Sequence, residues 1–186
     1  MTQPSNRARL EMVPVQDLDE AQQFALLAIR NQQIVRENSY SSHLIGEDEH
    51  ADWIERQRNE DTLQFYAVRL EGRIVGGVGL RKIDNLKGAA DWSFYVSGVE
   101  HGHGIGLALG ICALDMFFGK LALRCVTGEA LAINAASQNY HLKLGFREVG
   151  RAHHLVQPGN EMAEIVVYSL SEKEWAAQRG MLLDGV

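Results

Sequence analysis

An α+β, mixed α/β fold with one sheet covered by helices is what the sequence predicts, and three observations carry that expectation. Strand-like and helix-like segments follow the order strand, two helices, three strands, helix, strand, helix, two strands, which is neither all-β nor a strict βαβ alternation. Three consecutive strands are joined by turns too short for a crossover, so they form an antiparallel meander. A glycine-rich loop then marks a switch from alternating to helical hydrophobic periodicity.

The first strand runs from Arg9 to Val15, and Asp17 caps the helix that follows, which turns Phe24, Leu27 and Ala28 inward. A second helix spans Gly46 to Asn59 with Trp53 and Ile54 on its apolar side. Leu63 to Glu71, Arg73 to Asp84 and Ala89 to Ser97 make the meander, turning at Glu71-Gly72-Arg73 and at Asn85 to Gly88. The helix from about Ile105 to Leu121 is apolar on most faces, the pattern of a helix buried against a sheet. Leu123 to Leu131 reads as a strand, Ala135 to Leu144 as a helix stopped by Gly145, and Phe146 to Val156 and Glu161 to Leu170 as the last strands. Ser171 caps a short final helix through Trp175.

These segments fit one domain over residues 1–186, with a core of about 9–170 and a helical tail at 171–186. A chain of 186 residues, 46% of them hydrophobic, builds a core without staples. Cys112 and Cys125 show no CxxC or disulfide-framework spacing, which suits a reducing compartment. The segment Met1 to Arg9 lacks an apolar signal-peptide core and no stretch is long enough to span a bilayer, so a cytoplasmic protein with no membrane partner is expected. A net charge of −6 supplies no global attraction for nucleic acid, and none is expected as a partner.

His101-Gly102-His103-Gly104-Ile105-Gly106 follows a strand and opens a helix, where backbone N–H groups converge on an anion. A dinucleotide loop would need a parallel βαβ unit, and here the preceding strand belongs to a meander. A P-loop would need a terminal Gly-Lys-Ser/Thr, which is missing. A plain strand-to-helix turn is the remaining alternative. Gly76, Gly77 and Gly79 in the neighbouring strand mark either a close approach of a ligand to that backbone or close packing of the first helix. His101 with His103, and His153 with His154, are close pairs without carboxylate or cysteine partners at metal spacing, so no metal is expected.

The spacing His101-x-x-Gly104-x-Gly106 resembles the Q/R-x-x-G-x-G/A acetyl-CoA loop of the GNAT superfamily of N-acetyltransferases, with His101 where arginine or glutamine is usual. Asn134, Lys143, Gly145 and Phe146 are similar to that superfamily's N-(x)n-Y-x-K-x-G-F segment, and the likeness extends from about Arg9 to Leu170. The resemblance implies a GNAT-like fold: a central, mostly antiparallel mixed sheet, flanked by helices and splayed between its fourth and fifth strands. It implies acetyl-CoA as co-substrate, its pantetheine paired with peptide groups from Phe94 to Val96, its pyrophosphate on the N–H groups from His101 to Gly106, and Asn134 beside it. Because the whole chain is acidic, that loop should form a local electropositive mouth built mainly from backbone.

Acetyl transfer to an amine requires a deprotonated amine, an oxyanion contact and a proton for the leaving thiolate. Backbone N–H groups near Val96 suit the oxyanion contact. Glu129, at the end of its strand, resembles the general base of several members of the superfamily, acting directly or through water; otherwise it is an exposed strand-end carboxylate. The superfamily's tyrosine proton donor is replaced in sequence by His141, and Tyr140 lies one residue early, turned about 100° around the helix. Either of the two is a candidate acid.

Acceptor specificity falls between the first strand and the meander. Arg30, Asn31, Arg36, Tyr40, His43, His50 and Trp53, with the Trp92 to Val96 strand, resemble the branch that acetylates the 4-amino group of a UDP-linked 4-amino-4,6-dideoxy sugar in pseudaminic acid biosynthesis. Arg30 and Arg36 suit a diphosphate, Tyr40 or Trp53 a ring, and His43 a hydroxyl. Trp53 in the core and His50 as a helix-end decoration are the bland alternatives. A small-molecule amine, most simply an amino-sugar nucleotide, is the expected partner. A protein α-amine of ribosomal-protein type, a polyamine or aminoglycoside, a non-catalytic acetyl-CoA-binding role and a homodimer stay open.

Overall fold

The computed structural model describes residues 10–157, 159 and 161–183. β1 (Leu10–Pro14) leads through a 3-10 turn into α1 (Glu20–Arg30), α2 (Gln33–Glu37) and α3 (Glu47–Asn59). The meander is β2 (Gln64–Leu70), β3 (Arg73–Asp84) and β4 (Ala89–Val96). Then come α4 (Ile105–Asp115), β5 (Cys125–Leu131), α5 (Ala135–Lys143), β6 (Arg147–Val156), β7 (Glu161–Ser171) and α6 (Glu172–Leu183).

All seven strands join one sheet in the order β1-β2-β3-β4-β5-β7-β6. Every pairing is antiparallel except β4 with β5. That parallel pair is short: it joins Ala89, Ala90 and Asp91 to Cys125, Val126 and Thr127, and the ladder stops there. From Trp92 and Gly128 onward the two strands run without shared hydrogen bonds, which is the splay expected from the sequence.

Side-chain alternation divides the core between the two sheet faces. Phe65 and Ala67 of β2 join Leu26 and Ile29 of α1 and Ile54 of α3 on one face. Val68 and Leu70 face the other, with Ile111 and Leu114 of α4 and Trp175 of α6. α4 is apolar nearly all round and buries Ile105, Ala108, Leu109, Ile111, Ala113 and Leu114. It ends in a π-helical turn, Met116–Lys120, rather than running regularly to Leu121.

Several boundaries differ from the sequence reading. Arg9 lies outside the described residues, and Val15 belongs to the 3-10 turn rather than to β1. Asp19, not Asp17, caps α1: its carboxylate accepts from Gln22 N at 2.8 Å while the Gln22 side chain accepts from Asp19 N, a capping box. The later start turns Leu26, Leu27 and Ile29 inward and leaves Phe24 44% exposed and Ala28 outward. α2 is an additional helix, and β5 starts at Cys125 rather than Leu123. Ser171 exchanges hydrogen bonds with Glu174 as a cap does, but α6 continues to Leu183 because Trp175 and Leu182 pack into the core and Arg179 forks onto Asp115 at 2.6 and 3.0 Å.

Candidate functional site

A cleft of about 1070 Å³ runs from the glycine loop, past the splay, to a chamber beneath the chain between α1 and α3. Its first end is built by backbone. Gly102 and Gly104 take φ of +82° and +76°, the left-handed region that glycine adopts without strain, and a Cβ on Gly102 would meet nothing within 4 Å. Gly104 is the N-cap of α4 and provides no side-chain cap, so the first-turn N–H groups stay available to an anion. His101, Gly102, Gly104 and Gly106 line the cleft; His103 is exposed outside it and Ile105 is buried in the core. Phe94 and Val96 line it from the half of β4 that pairs with β3 but not with β5. Asn134 also lines it, while its Oδ1 caps α5 by accepting from Ser137 N at 2.9 Å. These residues fit a pyrophosphate and an extended amide-bearing arm.

Glu129, 16% exposed, sits mid-cleft inside a ring of donors. Tyr40 donates its hydroxyl to Oε2 at 2.7 Å, Arg81 Nη2 lies 3.6 Å from the same oxygen, and His154 Nε2 lies 3.9 Å from Oε1. Tyr40 and His154 stack at 5.2 Å with planes 8° apart. Burial, then the hydrogen bond to Glu129, raises the Tyr40 pKa, so its proton stays in place as a donor. The sequence reading missed Arg81 and His154. Strand alternation holds a weak signal for Arg81, since it follows cleft-lining Gly79 on the same face of β3.

The two candidate acids face away from a donating role. His141 is 1% exposed and does not line the cleft. Its Nε2 lies 3.2 Å from the Trp92 indole nitrogen, which only donates, so Nε2 accepts and Nδ1–H donates to Ser137 O at 2.8 Å. Burial pushes its pKa down to about 4, with the Ser137 carbonyl opposing. The imidazole is therefore neutral and fully engaged at neutral pH. Tyr140 presents its ring to the cleft, but its hydroxyl donates to Gly106 O at 2.7 Å, in a notch that a Cβ on Gly110 would fill. Burial raises its pKa as well.

At the acceptor end Arg30, Tyr40, His43, His50 and Trp53 line the cleft. Asn31 and Arg36 do not. Asn31 clasps Ile45 by two hydrogen bonds of 2.9 Å, and Arg36 donates to Asn31 O and Ser42 O, so both fasten the segment between α2 and α3. Arg30 spends Nη2 on Ser41 O at 3.0 Å, while its Nη1 is buried without a partner, as are Arg81 Nε and His50 Nε2. These three atoms belong to residues around one chamber, which thereby gathers polar groups that the fold itself does not pair. Arg56 and Tyr95 complete the wall. Trp53 does both jobs considered for it, lining the cleft and packing edge-on against Phe65 at 4.9 Å. Gly77 and Gly79 leave room for the Phe65 ring, and Gly76 for the Tyr95 carbonyl, so close packing explains them, although the neighbour is β2 and β4 rather than α1. Among the described residues no three His, Cys, Asp or Glu side chains come together at metal distance, and no helix is long and apolar enough to cross a membrane.

Comparison with known proteins matches the family described as the acetyltransferase (GNAT) domain to residues 9–147. YdaF of Bacillus subtilis (strain 168), which carries the name of a ribosomal N-acetyltransferase, is 26% identical over 167 residues, covering 86% of this chain and 90% of that protein. Spermidine N-acetyltransferase from Vibrio cholerae, solved with CoA and spermine, superposes with a TM-score of 0.80 at 15% identity over 91% of this chain and 99% of that one. A dodecameric structure of the same enzyme gives 0.73 at 16% identity, over 90% of this chain and 96% of that one.

Proposed function

The chain belongs to the GNAT acetyltransferase family and is an acyltransferase, and from that premise we propose that it acetylates the amino group of a nucleotide-linked amino sugar, most specifically the 4-amino group. Acetyl-CoA supplies the acetyl thioester; on transfer the C–S bond breaks, a C–N bond forms, the amine loses a proton and the thiolate gains one. The N–H groups of the Gly102 to Gly106 loop hold the pyrophosphate, and the peptide groups from Phe94 to Val96 hold the pantetheine. Glu129 takes the proton that the attacking amine loses, with Tyr40 and Arg81 fixing the orientation of its carboxylate. A thiol with a pKa near ~8.5 leaves readily enough to be reprotonated from solvent, which suits a cleft whose two candidate acids are engaged elsewhere.

The observation that carries the acceptor assignment is the gathering of Arg30, Arg56 and Arg81 with Trp53 and Tyr95 around one chamber. Guanidinium groups recognise phosphate oxygens in pairs, and the aromatic faces suit a base or sugar ring. A polyamine would meet Arg30, Arg56 and Arg81 as like charges, against the carboxylates of Glu49, Glu100 and Glu129 that also line the cleft. A protein α-amine is the second reading, favoured by the YdaF relationship. Thiol release from acetyl-CoA, measured with UDP-linked 4-amino sugars, peptides and spermidine side by side, tests the assignment. The sugar nucleotide should turn over; turnover of peptides alone refutes the sugar reading in favour of the second. One continuous sheet forms both ends of the cleft, which supports reading the chain as one acetyltransferase domain.

A further inference from the structure

We propose that the Trp92–His141 hydrogen bond is the tie that sets the geometry of the β4–β5 splay, making His141 a positioning residue for acetyl-CoA and not its proton donor. This rests on the cofactor reading above. The parallel ladder ends at Asp91 and Thr127, and the next residues on the two strands are Trp92 and Gly128. Over Gly128, where a Cβ would collide with both rings, the Trp92 indole donates to His141 Nε2 at 3.2 Å. Where the main chain ceases to bind β4 to β5, one side-chain hydrogen bond takes over.

His141 is itself rigidly held on the β5 side. Its ring stacks on Tyr168 of β7 at 4.7 Å and 8°, and its Nδ1–H is spent on Ser137 O. On the other side of the bond, Trp92 packs against Phe94 at 4.9 Å, and Phe94 reaches back to Tyr140 of α5 at 4.5 Å. Phe94 and Tyr140 both line the cleft. The tie thus links a fixed block to the strand whose peptide groups receive the pantetheine. Breaking it leaves the Trp92 N–H buried without a partner and loosens the β5-facing edge of β4, which stays paired with β3 on its other edge.

Acetyl-CoA affinity, measured by calorimetry without acceptor, and steady-state kcat test this on wild type, His141→Phe, His141→Gln, Trp92→Phe and Trp92→Phe/His141→Phe. His141→Phe keeps the aromatic stack but orphans the indole, and should weaken acetyl-CoA about 10-fold while kcat at saturating acetyl-CoA falls less than about threefold. His141→Gln, whose Oε1 again accepts from Trp92, should recover most of the affinity. The double variant should bind better than the two single losses predict, because neither polar partner is left behind. Undiminished affinity with a hundredfold fall in kcat in both His141 variants would overturn the tie and make His141 the acid. Additive losses in the double variant would also overturn it. Should His141→Phe fail to fold, His141→Gln and Trp92→Phe carry the same test, and a wild-type chain that does not bind acetyl-CoA refutes the underlying cofactor reading instead.

Discussion

Replacing Gly128 with alanine drives a methyl group into the two rings that meet above it. The three nearest atoms to the new Cβ belong to His141 and Trp92. Neither ring has room to retreat: they are 1% and 3% exposed, and His141 is stacked on Tyr168 with Phe146 edge-on at 5.1 Å. Overpacking a tight core by one methyl costs about 1–3 kcal/mol, and parting the two rings adds the cost of an orphaned buried donor, about 1–3 kcal/mol. A loss of about 2–6 kcal/mol corresponds to a fall in Tm of roughly 4–24 °C for a chain of this size. Differential scanning calorimetry at neutral pH measures it. Gly180→Ala is the control, because Gly180 lies within α6 with nothing within 4 Å of its Cβ, and it should be neutral or slightly stabilising. A Gly128→Ala protein that melts within about a degree of wild type would refute the packing argument.

Stability should fall with acid in a window set by His141. Its folded pKa of about 4 lies below the unfolded value near ~6.5, so the unfolded chain binds the proton between them. Its contribution is full above pH ~6.5, declines as pH falls to about 4, and amounts to about 3 kcal/mol. Urea unfolding across that range should show the slope in wild type and its loss in His141→Phe; equal slopes contradict it. Glu129→Gln should lower kcat by about 10²- to 10⁴-fold with acetyl-CoA affinity unchanged, and full activity would remove Glu129 as the base. Gly104→Ala forces a side chain onto a φ of +76° at the N-cap of α4 and should weaken acetyl-CoA about tenfold; unchanged affinity would show that the loop does not hold the pyrophosphate.

The strands were legible in the sequence because each alternates against two differently buried faces, and the splay because a resemblance in two motifs implied it. The α1 register was not, since Asp17 and Asp19 are both plausible caps and only the capping box with Gln22 chooses between them. α2 spans five residues, too few to show a period. Within the site, the glycine loop announced itself because positive φ demands glycine. Glu129 stood out by its place at a strand end. The difference between Arg30 and Arg36 is invisible to sequence: both are arginines beside the same loop, and only the path of that loop gives Arg36 two carbonyls and leaves Arg30 Nη1 without one. His141 sits on a helix of weak amphipathic pattern, and its burial follows from the gap opposite it at Gly128, on another strand.

On the proposed function, the acceptor end of the cleft recognises an anion through Arg30. The most direct test is kcat/KM for a UDP-linked 4-amino sugar against the same amino sugar without its nucleotide, in wild type and Arg30→Gln. Removing the nucleotide should cost wild type at least about tenfold, and Arg30→Gln should erase most of that preference. Equal kcat/KM for the two sugars, or a preference untouched by Arg30→Gln, would contradict it.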